Sequence, residues 1–460
     1  MAKKRKNEER LNEVRNELFD DVIIDTETVP DTDRDENAEF EERVRRIMAR
    51  YEAQVRKSLG RGIRPLHEIE AEVQRIGDDM TETLTDEIIR EAGTGQQGSR
   101  LLCACGETAK YKGLHLRHLV TLHGRIPILR AYYHCSWCQA GFCPLDDQLR
   151  LGQNGCSRRV QADIARLCSY LPFALATQEL EALRGVKLSA TTVQNTAKQV
   201  GNRLGQEWNA RHEQAQAGQS LYSGRPVARL YGSMDGVKAH VGGRWRDIKL
   251  GVFYQRNLLG RVTDTLFYGS LQTSSEFGPR LRTLGILCGL ETCSDLEIVA
   301  DGAEWIWNET QTHFPKSVQV LDFYHLSEHL WDVSDARFGK ESEAGREWMA
   351  TQKGRLLRDE ARLVTADIIA WEPRSQGKKE IRRKAICYMQ THQDRTAYKT
   401  LRDAGYHIGS GVMECGCKRV VKSRLGGAGM RWEEAGALAV LPLSAHWRSV
   451  PSGDFLAYTN

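Results

Sequence analysis

Apolar residues in the middle of the chain are spaced as in alternating strands and helices. Three segments, residues 227–234, 248–254 and 262–268, concentrate β-branched and aromatic residues over the length of a strand. Further on, apolar residues recur first at helical and then at strand spacing. The later elements are predicted as a helix over 274–290, a strand over 296–300, a helix over 304–314 and a strand over 318–323. This order predicts a mixed α/β sheet.

Helical spacing predominates on both sides of this segment. Residues 36–58 carry apolar side chains in a 3/4 pattern, which predicts an amphipathic helix. Residues 157–206 are also helical in pattern and are interrupted at Gly185, after which Ser189 or Thr191 can cap the next helix. This arrangement fits a helix-turn-helix that binds DNA and a plain helical bundle about equally well.

These patterns divide the chain into six regions. A Gly-rich stretch over 93–98 separates the first two, and the fifth contains a basic run between residues 378 and 384 that suits either DNA or a solvated helix face. The predicted regions are a charged helical region over 1–98, a cysteine-rich module over 99–150, a helical region over 151–220, the first part of the α/β core over 225–330, a helical segment over 331–400 and a helix completing the core over 401–450.

Charge is distributed unevenly along the chain. The whole sequence carries +4, but residues 1–98 hold 17 Lys and Arg against 25 Asp and Glu, whereas residues 99–460 hold 48 against 36. The basic later part suits a polyanion such as DNA, although an ordinary solvated surface has the same signature. No apolar run approaches the roughly 20 residues that cross a bilayer, and the first residues lack a signal peptide's apolar core. We therefore expect a cytoplasmic protein with no membrane partner.

Twelve cysteines without an export signal are expected to be reduced thiols. Two close pairs, Cys103 with Cys105 and Cys135 with Cys138, are separated by strand-like residues, and a hairpin would bring their four thiolates together around zinc. The second pair has the spacing of a zinc knuckle, but the first is one residue shorter, so other ligands are possible. Those other ligands are His123, His134 and Cys143. Buried free cysteines are the alternative without a metal.

The same pattern puts two aspartates at strand ends. Asp235 directly follows the strand over 227–234, Asp301 directly follows the strand over 296–300, and a glycine comes after each. If the strands are neighbours, both carboxylates lie at one rim of the sheet. They would repel each other there, and a divalent cation such as Mg²⁺, which prefers oxygen ligands, would relieve the repulsion.

A third acid, Glu414, lies on a predicted helix that begins at 410–411 and runs to about residue 425. Steps of four residues put Glu414, Lys418 and Lys422 on one face, so that a metal ligand would lie beside cations suited to phosphates. The structural alternative is an ordinary surface ion pair between Glu414 and Lys418. Three gathered acids would suit phosphodiester cleavage, in which two metal ions activate the attacking oxygen and stabilise the leaving one.

Four segments together resemble bacterial insertion-sequence transposases of the ISKra type. They are residues 234–253, 300–307, 321–325 and 407–418. The resemblance runs from the cysteine-rich module to near Trp447 and implies an RNase H-like core of the DDE type, whose element order the predicted strands and helices also follow. It implies that Asp235, Asp301 and Glu414 bind Mg²⁺ or Mn²⁺. An all-helical insertion would precede the helix of Glu414, and a zinc-ribbon-like module and helical N-terminal regions would precede the core.

These proteins are also similar to Mutator-type transposases, which carry an Asp-x-x-His element after the second aspartate. Asp322 and His325 match that element, which implies a supporting role in shaping the site or holding DNA. Lys418, Lys422 and Arg424, on the helix that carries the third acid, are assigned to DNA contacts.

The resemblance implies a nucleoid-associated enzyme that cleaves DNA at terminal inverted repeats and transfers the ends to a target. Its expected partners are DNA and further copies of the chain, as a dimer or higher oligomer, and its expected metals are Mg²⁺ in the core and structural zinc at the cysteines. Two alternatives remain: a noncatalytic DNA-binding protein derived from a transposase, and an RNase H-like nuclease without end preference.

Overall fold

The computed structural model describes residues 22–24, 36–152, 154–257, 259–450 and 454–459. Much of the charged N-terminal region before residue 36 therefore lies outside the described residues. The chain divides into two compact units. The first comprises the described residues up to Ile164 together with 174–196 and 455–459, and the second comprises 165–173 and 197–450 with Asp454.

The first unit combines two charged helices with an antiparallel sheet. Helices α1 (Glu36–Leu59) and α2 (Leu66–Glu91) run antiparallel, as their contacts show: Arg43 near the start of α1 pairs with Glu91 at the end of α2, and Arg50 further along α1 pairs with Asp79. The strands are β1 (Val22–Ile24), β2 (Arg100–Leu102), β3 (Thr108–Thr121), β4 (Gly124–Cys135) and β5 (Gly141–Phe142). Strand β3 pairs with β1, β2 and β4, and β4 also pairs with β5.

Four helices follow this sheet along the chain. They are α3 (Pro144–Gln148), α4 (Arg158–Cys168), α5 (Phe173–Arg184) and α6 (Ala190–Gln216). Residue Ser189 caps α6, since its Oγ accepts a hydrogen bond from the backbone N–H of Thr192 over 3.1 Å. Gly185, with φ +67°, provides the turn after α5.

The second unit is built around a mixed sheet of five strands. These are β6 (Arg229–Val241), β7 (Arg244–Arg256), β8 (Val262–Ser270), β9 (Asp295–Ala300) and β10 (Val318–Leu321), in the order β10-β9-β6-β7-β8. Strands β6, β7 and β8 are antiparallel, whereas β9 is parallel to β6 and β10 is parallel to β9. Gly242 and Gly243, both at positive φ, form the tight turn between β6 and β7.

Helices cover both faces of this sheet. One face packs through Met234, Phe253 and Ile298 against helices that come before residue 405, and the other packs through Val237 and Leu250 against helices that come after residue 410. The first set is α7 (Ser274–Leu287), α8 (Glu304–His313), α9 (Phe323–Phe338), α10 (Glu343–Leu356), α11 (Ala361–Ala370), α12 (Gln376–Thr391) and α13 (Tyr398–Asp403). The second set is α14 (Gly411–Gly416), a π-helical segment (Cys417–Lys422), α15 (Ser423–Leu425) and α16 (Glu434–Arg448).

The elements predicted for the centre of the chain are confirmed, and the chain is a mixed α/β protein. The predicted helix over 36–58 is confirmed as α1, and the predicted helical stretch after residue 331 is confirmed as the rest of α9 with α10, α11 and α12. Among the helices that the structure describes, none is long and apolar enough to cross a bilayer.

Candidate carboxylate and metal sites

Asp235 lies in the middle of β6, and the prediction that it directly follows a strand was wrong. The strand continues to Val241 by pairing with β7, so Gly236 makes no turn. Pairing of β6 with β9 ends at Gly232, which leaves Asp235 beyond the end of its parallel neighbour. Its Oδ1 accepts a hydrogen bond from the backbone N–H of Gly236 over 2.6 Å.

The second oxygen of Asp235 is held by a cysteine that the sequence did not single out. The Cys417 thiol donates to Oδ2 of Asp235 over 3.2 Å from the π-helical segment. Burial raises the pKa of Cys417, and the charge of Asp235 raises it further, so the thiol stays protonated and can donate. Alternation along β6 turns Asp235 toward the same face as Val237, which Cys417 helps to cover.

Asp301 directly follows β9, as predicted, and its Oδ1 accepts a hydrogen bond from the backbone N–H of Ala303 at the start of α8. Burial is the largest influence raising the pKa of Asp301, and the negative charges of Asp235 and Asp322 raise it further. The charge of His325 acts in the opposite direction. Asp235, Asp322 and His325 therefore all lie near enough to Asp301 for their charges to influence its pKa.

Asp322 is a buried carboxylate that joins two segments. Its Oδ1 accepts hydrogen bonds from the backbone N–H groups of Tyr324 and His325, which caps helix α9. Its Oδ2 accepts from the backbone N–H and the hydroxyl of Ser410, directly before α14. Because all four donors come from the chain itself, Asp322 is a positioning residue in this structure.

Helix α12, which follows α9 in the helical segment, lies close to Asp301 and Asp322. A Cβ at Gly302, next to Asp301, would lie 2.1 Å from the ring of Tyr388 on α12. Burial raises the pKa of Tyr388, and the charges of Asp301 and Asp322 raise it further. The ring of Tyr388 also lies 4.2 Å from that of His329. Sequence patterns missed Tyr388 and His329, because both are spaced like ordinary core residues of a helix.

Glu414 is on α14, as predicted, but its side chain is turned to solvent. It forms an ion pair with Lys418 over 2.5 Å, with 66% of the Glu414 side chain and 64% of the Lys418 side chain exposed. Of the described residues, only four cysteines form a group whose metal-binding atoms all lie within 4.8 Å of one another. The structure therefore shows Glu414 in the surface ion pair that the sequence allowed as an alternative. It does not bring the carboxylates of Asp235, Asp301 and Glu414 within 4.8 Å of one another.

The predicted helix after residue 410 is confirmed, but a π-helical segment from Cys417 to Lys422 interrupts it. The four-residue step from Glu414 to Lys418 holds, since the two side chains form an ion pair. A π-helical turn uses i→i+5 hydrogen bonds, so the next four-residue step, from Lys418 to Lys422, does not keep the two lysines on one face in the regular way. Lys418 and Lys422 are both exposed. Both cationic groups therefore lie at the surface of this unit, that of Lys418 in its ion pair with Glu414.

Arg424 does not lie where a DNA contact requires. Its side chain is 1% exposed, and Nε donates to the carbonyl oxygen of Cys168 over 2.6 Å. The guanidinium lies 4.7 Å from the ring of Phe173 and 5.1 Å from that of Trp432. We therefore correct its assignment from a DNA contact to a packing residue, because a buried guanidinium cannot reach a phosphate.

Cys103, Cys105, Cys135 and Cys138 form the group that could hold a zinc ion. The sulfur atoms of Cys103 and Cys138 lie 3.6 Å apart, and those of Cys105 and Cys135 lie 3.8 Å apart. Each pair of cysteines includes a tight turn. The first pair precedes β3 and the second follows from the end of β4, and these two ends lie side by side because Ala109 on β3 pairs with Cys135 on β4. The alternative ligands considered from the sequence are not members of this group, so the short first pair is able to contribute both of its thiols.

Local hydrogen bonds favour the ligand form of one of these thiols. The backbone N–H of Cys138 lowers the pKa of Cys135 most, and that of Trp137 lowers it further, so that this pKa is about 7 despite burial. A thiolate is the form that binds zinc. The four-cysteine group therefore has both the spacing and the chemistry of a zinc site.

Glu297 is a buried acid on β9 that the sequence analysis did not select, because it lies within an otherwise apolar strand. The Glu297 side chain is completely buried, and its Oε1 accepts a hydrogen bond from the backbone N–H of His407 over 2.8 Å. Burial raises the pKa of Glu297 to about 8. Glu297 and Asp322 thus both hold the segment over 407–410 that leads into α14.

Comparison with protein-family models and with curated proteins gives no match for this chain.

Proposed function

We propose that the chain is a DNA transposase with an RNase H-like core, in which Asp235, Asp301 and Glu414 bind divalent cations. The observation that carries the proposal is the arrangement of Asp235 and Asp301 on neighbouring strands, close enough for the charge of Asp235 to raise the pKa of Asp301. A cation between such carboxylates relieves their repulsion. The sheet order, with three antiparallel strands followed by two parallel ones, supports the RNase H-like assignment.

Bound Mg²⁺ or Mn²⁺ would activate the attacking oxygen and stabilise the leaving oxygen of the phosphodiester. Asp235 and Asp301 would hold the cation from β6 and the end of β9. The hydrogen bond from Cys417 fixes the rotamer of Asp235 and leaves lone pairs of the carboxylate for a cation. Hard oxygen ligands of this kind suit Mg²⁺ better than they suit zinc.

Glu414 would complete the site by leaving its ion pair with Lys418 and binding the divalent cation instead. An exposed ion pair of this kind contributes only about 0–1 kcal/mol, so it is readily exchanged for a divalent cation. The π-helical segment that follows supports a functional role for this helix, since π-helical turns are frequent at functional sites. Once released, Lys418 would join Lys422 in binding DNA phosphates.

Asp322 and His325 have supporting roles in the proposed site. Asp322 fixes the start of α9 and the approach to α14, and His325 lies where its charge reaches Asp301. A protonated His325 would suit the holding of a phosphate oxygen near the aspartates. We also propose that the cysteine group holds zinc in a zinc-ribbon-like module, and that the protein assembles as a dimer or higher oligomer on DNA, since two ends have to be joined.

The proposal is tested by supplying the full chain with Mg²⁺ or Mn²⁺ and duplex DNA that carries the terminal repeats flanking its gene. We expect strand cleavage and end joining, reduced at least about 100-fold in Asp235→Asn, Asp301→Asn and Glu414→Gln. Glu433→Gln, another exposed glutamate of the second unit, is the matched control. Lys418→Ala separates loss of the ion pair from loss of the acid. Full activity of Asp301→Asn would refute the assignment.

A noncatalytic DNA-binding protein is the second candidate. It is favoured by the ion pair with Lys418, which engages the Glu414 carboxylate that a metal ion would need. It predicts DNA binding without cleavage in either metal. It also predicts that the carboxylates bind no Mn²⁺, which titration calorimetry of the protein and of Asp301→Asn would measure directly.

A further inference from the structure

A cavity of about 490 Å³ opens within the first unit, away from the carboxylates. One wall is the tip of the β3–β4 hairpin, where Arg125 pairs across the strands with Val120 and His118 lies two residues earlier. The other wall is the turn from Arg184 to Thr192 that joins α5 to α6. We call this cavity the basic cleft. It is lined by His118, Arg125, Arg184, Lys187, Ser189 and Thr192, together with small and aliphatic residues.

The charged side chains that line the basic cleft are all basic. Four of its side chains are basic, two carry hydroxyls at the start of α6, and no acidic residue lines it. This contrasts with the excess of acidic residues over positions 1–98 of the same unit. A cavity of this composition attracts an anion with several oxygens.

The cations of the basic cleft are available to a ligand. Arg125 is exposed and forms no ion pair with any residue that the structure describes. Arg184 pairs with Asp163 and Lys187 with Glu181, but the two cationic side chains are 52% and 81% exposed. Such exposed pairs are weak, so a phosphate can displace the carboxylates.

The wall formed by the turn is held in place without the ligand. Ser189 caps α6 through the backbone N–H of Thr192, and Val186 is buried in the middle of the turn. The backbone of this wall therefore needs little rearrangement to bind an anion. The N-terminus of the long helix α6 adds a favourable dipole to the same wall.

We propose that the basic cleft binds backbone phosphates of duplex DNA, a partner taken from the proposed function. The cleft has no Phe, Tyr or Trp side chain on which an unpaired base could stack, and the rest of its lining consists of Thr121, Cys156, glycines and aliphatic residues. It therefore anchors a sugar–phosphate backbone independently of sequence, which sets the position of the duplex without reading it.

The test compares DNA binding by the full chain and by the double variant Arg125→Ala/Lys187→Ala, which removes one cation from each wall. The probe is a fluorescent duplex without terminal-repeat sequence, titrated at several salt concentrations without divalent metal. We expect about tenfold weaker binding at low salt, and a slope of log affinity against log salt that is smaller by about 1–2. Lys57→Ala/Arg75→Ala removes the same charge from exposed positions of α1 and α2 and should bind like the unmodified protein.

Equal affinity and equal slope for the two double variants would overturn the proposal, provided that both melt at the temperature of the unmodified protein. Inorganic phosphate that competes as well as duplex DNA would also overturn it, because the cleft would then be a small-anion site. The catalytic proposal fails separately, if binding depends on the cleft but no cleavage occurs with either metal. Absence of any DNA binding by the unmodified protein would refute both.

Discussion

Asp322 and Ser410, 88 positions apart in the sequence, are joined by two hydrogen bonds to a single carboxylate oxygen. The other oxygen of Asp322 caps α9. One buried side chain thus fixes both the helix that carries His325 and the approach to the helix that carries Glu414. The geometry of the proposed site depends on this link as much as on the acids themselves.

Removing the charge of Asp322 should destabilise the protein more than removing the hydroxyl of Ser410. In Asp322→Asn an amide replaces one oxygen and faces N–H donors, so we expect a loss of about 2–3 kcal/mol in the free energy of unfolding. Ser410→Ala removes one hydrogen bond and should lose about 1 kcal/mol. Urea denaturation measures both, and similar losses for the two variants would contradict the role assigned to the carboxylate.

The cysteine group should bind one zinc ion per chain. Cys135→Ser removes the thiol with the lowered pKa and is expected to lose the metal, because a hydroxyl is a poor zinc ligand at neutral pH. Metal content by plasma emission spectrometry and chelator-induced unfolding would report this. Cys387→Ser, at an exposed cysteine outside the group, is the control and should retain its zinc. Unchanged zinc content in Cys135→Ser would exclude the site.

Arg424 should contribute to stability and not to DNA binding. Arg424→Ala leaves a cavity under Phe173 and Trp432 and removes the hydrogen bond to Cys168, so we expect a loss of about 3 kcal/mol. Lys422→Ala, at an exposed position, should change stability by less than about 0.5 kcal/mol. Thermal melting of both variants checks the contrast, which an unaltered melting temperature of Arg424→Ala would disprove.

Glu297 should make stability fall as the pH rises above its usual pKa of 4.5. Because burial raises its pKa in the folded protein to about 8, the folded state holds a proton that the unfolded state has lost between these two values. Stability from this group is greatest below pH 4.5, declines by up to about 1.4 kcal/mol per pH unit, and stops declining above about pH 8.

Glu297→Gln lacks this titration and can still accept the hydrogen bond from His407. Its melting temperature should approach that of the unmodified protein near pH 5 and exceed it increasingly toward pH 8.5. Parallel pH profiles for the two proteins would mean that Glu297 is ionised in both folded and unfolded states.

The sequence located the strands correctly but ended β6 too early. The apolar run breaks at Asp235 and Gly236, which resembles a strand end, although the alternation of Val237, Ala239 and Val241 continues the strand. A glycine pair at 242–243 was the true turn signal. The strand persists past its pairing with β9 because β7 supplies hydrogen bonds as far as Val241.

Local pattern by itself determined the element order, the position of Asp301 at the end of β9, a cap for α6 at either Ser189 or Thr191, and the two cysteine pairs, because each depends on neighbours within a few residues. Tertiary structure decided the rest. It selected four cysteines from the possible zinc ligands, buried Arg424, turned Glu414 toward Lys418, and brought Cys417, Tyr388 and Asp322 to the aspartates. These outcomes depend on contacts between residues up to 256 positions apart in the sequence, which no local spacing records.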